Sequence, residues 1–191
     1  MLIVKPRFGA VLDTCVLAPA PLYDTLLRLA EQYLYRVHWS DKTLVELHRV
    51  LQKQLGLTEE QVDRRISAMT EAFDSATVAH TNLFPIGLPD SDDDHVLFAA
   101  IKSEAQAIVT FNTSDFPEKF YKPHDIEILH PDDFLMSQFT LDPYLVWETI
   151  LEQARDGAAP LSGMKKVIQG LRRDVPNFVD LLDDFAGFED E

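Results

Sequence analysis

Asp13, Glu46, the run Asp92-Asp93-Asp94 and Asp115 are the residues whose types and placement point to chemistry. Asp13 ends the apolar run Phe8-Gly-Ala-Val-Leu12, and Asp115 follows Ala107-Ile-Val-Thr-Phe111 after a short Asn-Thr-Ser turn. In open α/β sheets, ligands bind beyond the carboxyl ends of the strands, where both acids would stand. Glu46 falls in the first turns of one helix. Asp93 and Asp94 open another, whose positive end favours anions. Two unit charges ~4 Å apart at an effective dielectric of ~20 repel by about 4 kcal/mol, so such acids sharing one pocket call for a divalent cation. Hard oxygen ligands select Mg²⁺ or Mn²⁺ over zinc, and no Cys/His zinc spacing competes. An ion held this way can position and deprotonate a water for in-line attack on phosphorus and stabilise the leaving oxygen. Taken singly, each acid has a plainer reading: Asp13 as an N-cap or turn residue, Glu46 on a solvated helix face, 90–94 as a capping and solubility segment, Asp115 as a helix cap. Their shared placement at strand and helix ends is what favours chemistry.

The elements that must position these acids follow from hydrophobic spacing. Residues 8–13 and 107–111 read as buried parallel strands, with Tyr35–Trp39, Ala76–Ala79 and Ile126–Leu129 as shorter ones. Between them, Leu22, Leu26, Leu27, Leu29 and Leu34 recur at helical spacing. Ser40 or Asp41 caps a helix carrying Leu44, Leu47, Val50 and Leu51. Thr58-Glu-Glu-Gln61 is a capping box for a helix with Val62, Ile66, Met69 and Phe73. Pro85, Gly87 and Pro89 form a loop into the acidic run, and Val96, Leu97, Ala100 and Ile101 face inward from the helix behind it. This alternation predicts a three-layer α/β/α sandwich around a mostly parallel sheet. After about residue 140 only helices are predicted, near 142–156, 161–173 and 175–186. The expected division is therefore a domain over 1–138 and a helical C-terminal extension over 139–191.

Hydrophobic content of 46% and charged content of 26% fit a globular domain. No apolar run reaches the roughly 18–20 residues of a membrane span, and the first residues lack a signal-peptide pattern. A single cysteine, Cys15, excludes an internal disulfide and fits a reducing cytoplasm. The net charge of −15 argues against a nucleic-acid binder. Residues 1–80, however, carry nine Lys/Arg against ten Asp/Glu, and the excess sits at 90–94 and after Asp132. A cation can neutralise the first group, and a remote tail repels phosphate weakly beyond a Debye length of ~8 Å.

Four segments, in order, resemble the PIN-domain family: Val11-Leu-Asp-Thr-Cys-Val-Leu17, Leu44-Val-Glu-Leu-His-Arg-Val-Leu51, Pro89-Asp-Ser-Asp-Asp-Asp-His-Val-Leu-Phe-Ala-Ala100 and Ala107-Ile-Val-Thr-Phe-Asn-Thr-Ser-Asp-Phe-Pro117. The resemblance covers roughly residues 8–135. Leu141-Asp-Pro-Tyr-Leu-Val and Val175-Pro-Asn-Phe-Val are similar to the C-terminal extension of one VapC-like branch. It implies a Mg²⁺- or Mn²⁺-dependent ribonuclease, the toxin of a VapC-type toxin–antitoxin pair, with RNA as substrate, a cognate antitoxin as partner and dimerisation by analogy. Carried over residue by residue, Asp13, Glu46 and Asp115 become metal ligands or ligand supports. The third acid stays a choice: related sequences tend to be basic where Asp94 stands, which favours Asp93, whereas ungapped counting from Val109-Thr110 favours Asp94. Asn112 stands where some relatives carry an acid and would orient a water or phosphate, and Thr14 and Thr110 would hydrogen-bond a ligand carboxylate.

Remaining candidates carry plainer expectations. Cys15 reads as a small core residue, His95 as a capping or packing residue, and Trp39 and Trp147 as core or interface residues. Arg49, Lys53, Arg64 and Arg65 read as a solvated face, or as the lining of an RNA or partner groove. A haloacid-dehalogenase phosphatase would need an acid where Cys15 stands, and a dinucleotide fold a Gly-rich turn after the first strand. The competing function is a catalytically inactive PIN-like scaffold that binds a protein partner or RNA.

Overall fold

The structure, a computed structural model, describes residues 8–79, 86–156 and 160–189. Among the described residues there are five strands, β1 (Gly9–Leu12), β2 (Arg36–Ser40), β3 (Thr77–Val78), β4 (Ala107–Val109) and β5 (Glu127–Leu129), and ten α-helices. These are α1 (Thr14–Leu17), α2 (Ala20–Glu31), α3 (Asp41–Lys53), α4 (Glu59–Ala72), α5 (Asp94–Ser103), α6 (Glu118–Tyr121), α7 (Pro131–Leu141), α8 (Pro143–Arg155), α9 (Pro160–Asp174) and α10 (Pro176–Glu189). The chain clusters into two compact units, one formed by residues up to Ala18 with Tyr35–Leu129, the other by Pro19–Leu34 with His130 onward. The boundary expected after residue 138 falls inside α7, and α2, well before it, clusters with α7 and the last helices.

In the first unit the strands form one sheet in the order β3-β2-β1-β4-β5 with every pairing parallel, as the alternation of strand and helix predicted. All four residues of β1 are buried, as a central strand covered on both faces requires. Val11, Val96, Leu97, Ala100, Ile108 and Phe116 share one core that seats α5 against β1 and β4. Strand order reverses at β1, since the chain proceeds outward through β2 and β3 and then resumes on the other side at β4. A crevice at the carboxyl ends of β1 and β4 follows from that reversal. Leu12 pairs with Val109 in register, so Asp13 and Thr110 emerge side by side.

Helix starts follow their local chemistry. Ser40 Oγ accepts from the Thr43 amide at 2.8 Å to cap α3. Thr58 and Gln61 form the expected capping box of α4. The short helix α1, not separately expected, is capped by the Asp13 carboxylate, which accepts from the Thr14 amide.

Among the described residues, the regular elements of the second unit are all helices. Gln153 of α8 accepts from the Thr25 hydroxyl at 2.7 Å and donates to the Pro21 carbonyl at 3.0 Å, tying α8 to α2. A methyl group on Gly170 of α9 would lie 2.4 Å from Pro21 Cγ, so that helix contact needs glycine. Buried Asp132 accepts from the Asn177 and Phe178 amides at 3.2 and 2.8 Å, and so caps α10 from α7. Phe139, Tyr144 and Trp147 meet the Phe185 ring edge-on. Helical structure begins at Pro131, before the helix predicted near 142–156, and proline at the first helical position followed by two acids is a helix start. No helix among the described residues is long and apolar enough to cross a membrane.

Candidate active site

Asp13 leaves β1 at the crevice, 7% exposed, with its backbone amide donating to the Val109 carbonyl at 3.1 Å. Its Oδ1 accepts from the Thr14 amide at 2.6 Å. Its Oδ2 accepts from the Thr110 hydroxyl at 2.7 Å and from the Cys15 thiol at 3.2 Å. The fully buried Thr110 also accepts from the Asn112 amide at 3.0 Å, so the acid and the loop after β4 are fixed through one hydroxyl. The plainer reading of Asp13 as an N-cap therefore holds alongside its position at the strand end. Each carboxylate oxygen has two lone pairs, so these three bonds fill Oδ2 and leave one acceptor site on Oδ1.

Glu46 projects from α3, and both its oxygens are held. Oε2 accepts from the Thr14 hydroxyl at 2.9 Å, and Oε1 lies 3.3 Å from His95 Nε2. Lys42, one turn earlier, brings its ammonium to 3.7 Å from Oε1 and to 3.4 Å from Asp92 Oδ1. Burial by itself would raise the Glu46 pKa. The His95 and Thr14 hydrogen bonds and the charge of Lys42 outweigh it and leave the carboxyl below its usual range. Glu46 is thus a half-buried carboxylate kept ionised, not the freely solvated helix-face residue of its plainer reading.

The two candidates for the third acid lead different lives. Asp94 is 6% exposed and its carboxylate accepts from the Ile86 and Leu88 amides at 3.0 Å and from the Gly87 amide at 3.3 Å. Gly87 reaches this turn with φ of +84°, a conformation that favours glycine. Asp93, half-buried, makes no cap hydrogen bond to α5. Partial burial, followed by repulsion from Asp13, Asp90 and Asp115, pushes its carboxyl up to about 6. Asp115 closes the 3-10 turn Thr113–Asp115 after β4, and Asn112 is exposed at its start. Asp13 and Asp115, from two other segments, therefore come within electrostatic range of Asp93, while Asp94 is turned to the 86–88 loop. An all-oxygen donor set carrying unneutralised charge suits a hard divalent cation.

Other candidates fall elsewhere. The Cys15 thiol is pushed up to about 12 by burial and by the Asp13 charge, so it is no thiolate nucleophile. Arg65 donates to the Leu17 and Ala18 carbonyls, and Arg64 pairs with Glu60. Arg49 and Lys53 line a groove of α3 and α4 with Leu44, Val45 and Ile66. Trp39 is buried, with its indole N–H donating to Thr77. Among the described residues, His48, Glu59 and Asp63 bring potential ligand atoms within 4.8 Å of one another, and no three of Asp13, Glu46, Asp93, Asp94 and Asp115 approach that closely. His48, however, lies two residues from Glu46, about 200° around α3, and so serves the α3–α4 face instead of the crevice. Sequence reasoning missed Lys42, whose i,i+4 spacing to Glu46 was a usable signal, and the contact of His95 with Glu46, which no spacing announces.

Residues 9–114 match the PIN domain family, and residues 131–184 match the VapC50 C-terminal domain. Over 86 residues the chain is 37% identical to the curated Mycobacterium tuberculosis protein named "Putative ribonuclease VapC50". That alignment takes in 45% of this chain and 51% of the relative, so the chain spans about half the length of the curated protein it matches. The parallel sheet and the two matched segments agree with one another: the chain belongs to the PIN-domain family, and its C-terminal helices are similar to the VapC50 C-terminal domain.

Proposed function

We propose that the protein is a divalent-metal-dependent endoribonuclease, the cytoplasmic toxin of a type II toxin–antitoxin pair, with Asp13, Glu46, Asp93 and Asp115 as its acids. The observation that carries this reading is Asp93, whose carboxyl is raised to about 6 partly by the charges of Asp13 and Asp115. Charges arranged to repel one another are stable only with a counter-charge among them. Asp93, Asp13, Glu46 and Asp115 would hold Mg²⁺ or Mn²⁺, with Asp94 supporting the loop behind them. When bound, the ion supplies a water of lowered pKa and neutralises charge on the leaving oxygen.

The chain's own groups do the rest. Thr110 and the Thr14 amide keep Asp13 in one orientation, and the Thr14 hydroxyl does the same for Glu46. Asp93 holds a proton below a pH of about 6, and a cation held by these acids would favour its ionised form. Exposed Asn112, at the rim, has a side-chain amide suited to a water or a phosphate oxygen. A site of this charge density favours an antitoxin segment that presents Arg or Lys to the acids. Self-association into a dimer is part of the same proposal.

The test is cleavage of total RNA by the purified chain in Mg²⁺ or Mn²⁺ and in EDTA, with end-mapping, for wild type and Asp13→Asn. Cleavage should need the metal, disappear in the variant, and be matched by growth arrest that only the wild type causes. Undiminished cleavage by Asp13→Asn would sink the nuclease reading. Intact Mn²⁺ binding with no cleavage of any RNA would favour the inactive scaffold.

A further inference from the structure

His95 is almost wholly buried, 1% exposed on the first turn of α5. Its ring spans two groups of α3. Nδ1 lies 2.6 Å from Ser40 Oγ, the N-cap of that helix, and Nε2 lies 3.3 Å from Glu46 Oε1. The inventory of donors and acceptors assigns the ring. An ionised carboxylate only accepts, so Nε2 carries the hydrogen and donates to Glu46. Nδ1 pairs with Ser40 Oγ, which also receives the Thr43 amide at 2.8 Å and pairs with Thr43 Oγ1 at 2.9 Å. Every group in this chain of contacts has a partner of the right kind.

The consequence is geometric. A glutamate on a helix has three rotatable bonds, and half-buried Glu46 could turn its carboxylate toward solvent or toward Lys42. With Oε1 on His95 and Oε2 on Thr14, both oxygens are pinned, one from α5 and one from the residue after Asp13. We infer that His95 is a positioning residue: through Ser40–His95–Glu46 it fixes the Glu46 carboxylate relative to Asp93, its near neighbour on the same chain segment. This inference rests on the reading of Glu46 as a metal-site acid. Outer groups that orient a ligand typically contribute 10–100-fold in metal affinity, which sets the size of the expected effect.

The experiment is Mn²⁺ titration of the full chain by calorimetry, with thermal denaturation in EDTA as a separate measure of folding. His95→Asn keeps an amide at the Nδ1 position for Ser40 but cannot reach Glu46, whereas His95→Gln places an N–H at the Nε2 position. Mn²⁺ affinity should fall about 10–100-fold in His95→Asn and recover to within a few-fold of wild type in His95→Gln. In a Glu46→Gln background, His95→Asn should have no further effect on affinity, because the histidine acts through that carboxylate. A purely structural role predicts equal loss of melting temperature in the two variants with Mn²⁺ affinity unchanged, and that result overturns the inference. So does equal affinity in His95→Asn and wild type while Asp13→Asn abolishes binding. Absence of Mn²⁺ binding by the wild type instead overturns the metal reading itself, and the inference with it.

Discussion

Asp93→Asn should stabilise the metal-free protein and abolish its stabilisation by metal. A carboxyl moved from 3.8 to about 6 penalises the ionised form by about 3 kcal/mol at 1.36 kcal/mol per pH unit. Asp93 is only half-buried, so solvent screening removes much of this. The positive end of α5 also favours the charge by about 0.3–1 kcal/mol. About 1 kcal/mol remains, or about 2–4 °C in melting temperature for a chain of this size. The sign follows from linkage. The folded state holds the Asp93 proton more tightly than the unfolded state, so wild-type stability falls as pH rises from about 4 through about 6. The gain in Asp93→Asn should therefore be absent at pH 4, grow through that window and be complete at pH 7.5. Melting curves in EDTA across this range test it, and a second series with Mn²⁺ should show wild type rising by about 2.7 kcal/mol at 100 times its dissociation constant while the variant stays level. A variant no more stable than wild type at pH 7.5 in EDTA, or a gain independent of pH, would refute the electrostatic argument.

Asp94→Ala should behave in the opposite way: the Ile86, Gly87 and Leu88 amides lose their acceptor, and stability in denaturant should drop by about 1–3 kcal/mol. Its Mn²⁺ affinity, measured where the variant is still folded, should suffer less than that of Asp93→Asn. In the second unit, Asp132→Ala removes the cap of α10 and should cost about 1–2 kcal/mol of unfolding free energy, with amide hydrogen exchange rising first at Asn177 and Phe178. Cys15, with its thiol held near 12, should resist iodoacetamide at pH 8 in the native state and react on unfolding. Rapid labelling of native protein would show that the thiol is neither buried nor beside an ionised Asp13.

The parallel sheet was legible because its pattern is local: Val11-Leu12 is an apolar run closed by Asp13, Ile108-Val109 is one followed by the turn to Asp115, and Ser40, Thr58 and Gln61 announce their helices by short-range hydrogen bonds. Pro131 shows where local reading stops, since the same residue can end a strand or open a helix, and only packing against α10 decides. The candidate acids were legible as types at strand and helix ends, and the sequence by itself determined which residues could meet. It could not say which of two adjacent aspartates faces the others. Asp93 and Asp94 are about 100° apart on a helix start, and that angle is read only against neighbours. Three amides of the 86–88 turn claim Asp94, while the charges of Asp13 and Asp115 reach Asp93. His95 and Lys42 entered the site for the same reason: their partners lie on other turns or other elements, and a distance of 3.3 Å between Nε2 and Glu46 exists only once α5 and α3 have packed. The acids as residue types were written in the chain; their orientation, protonation and supporting partners were decided by the fold.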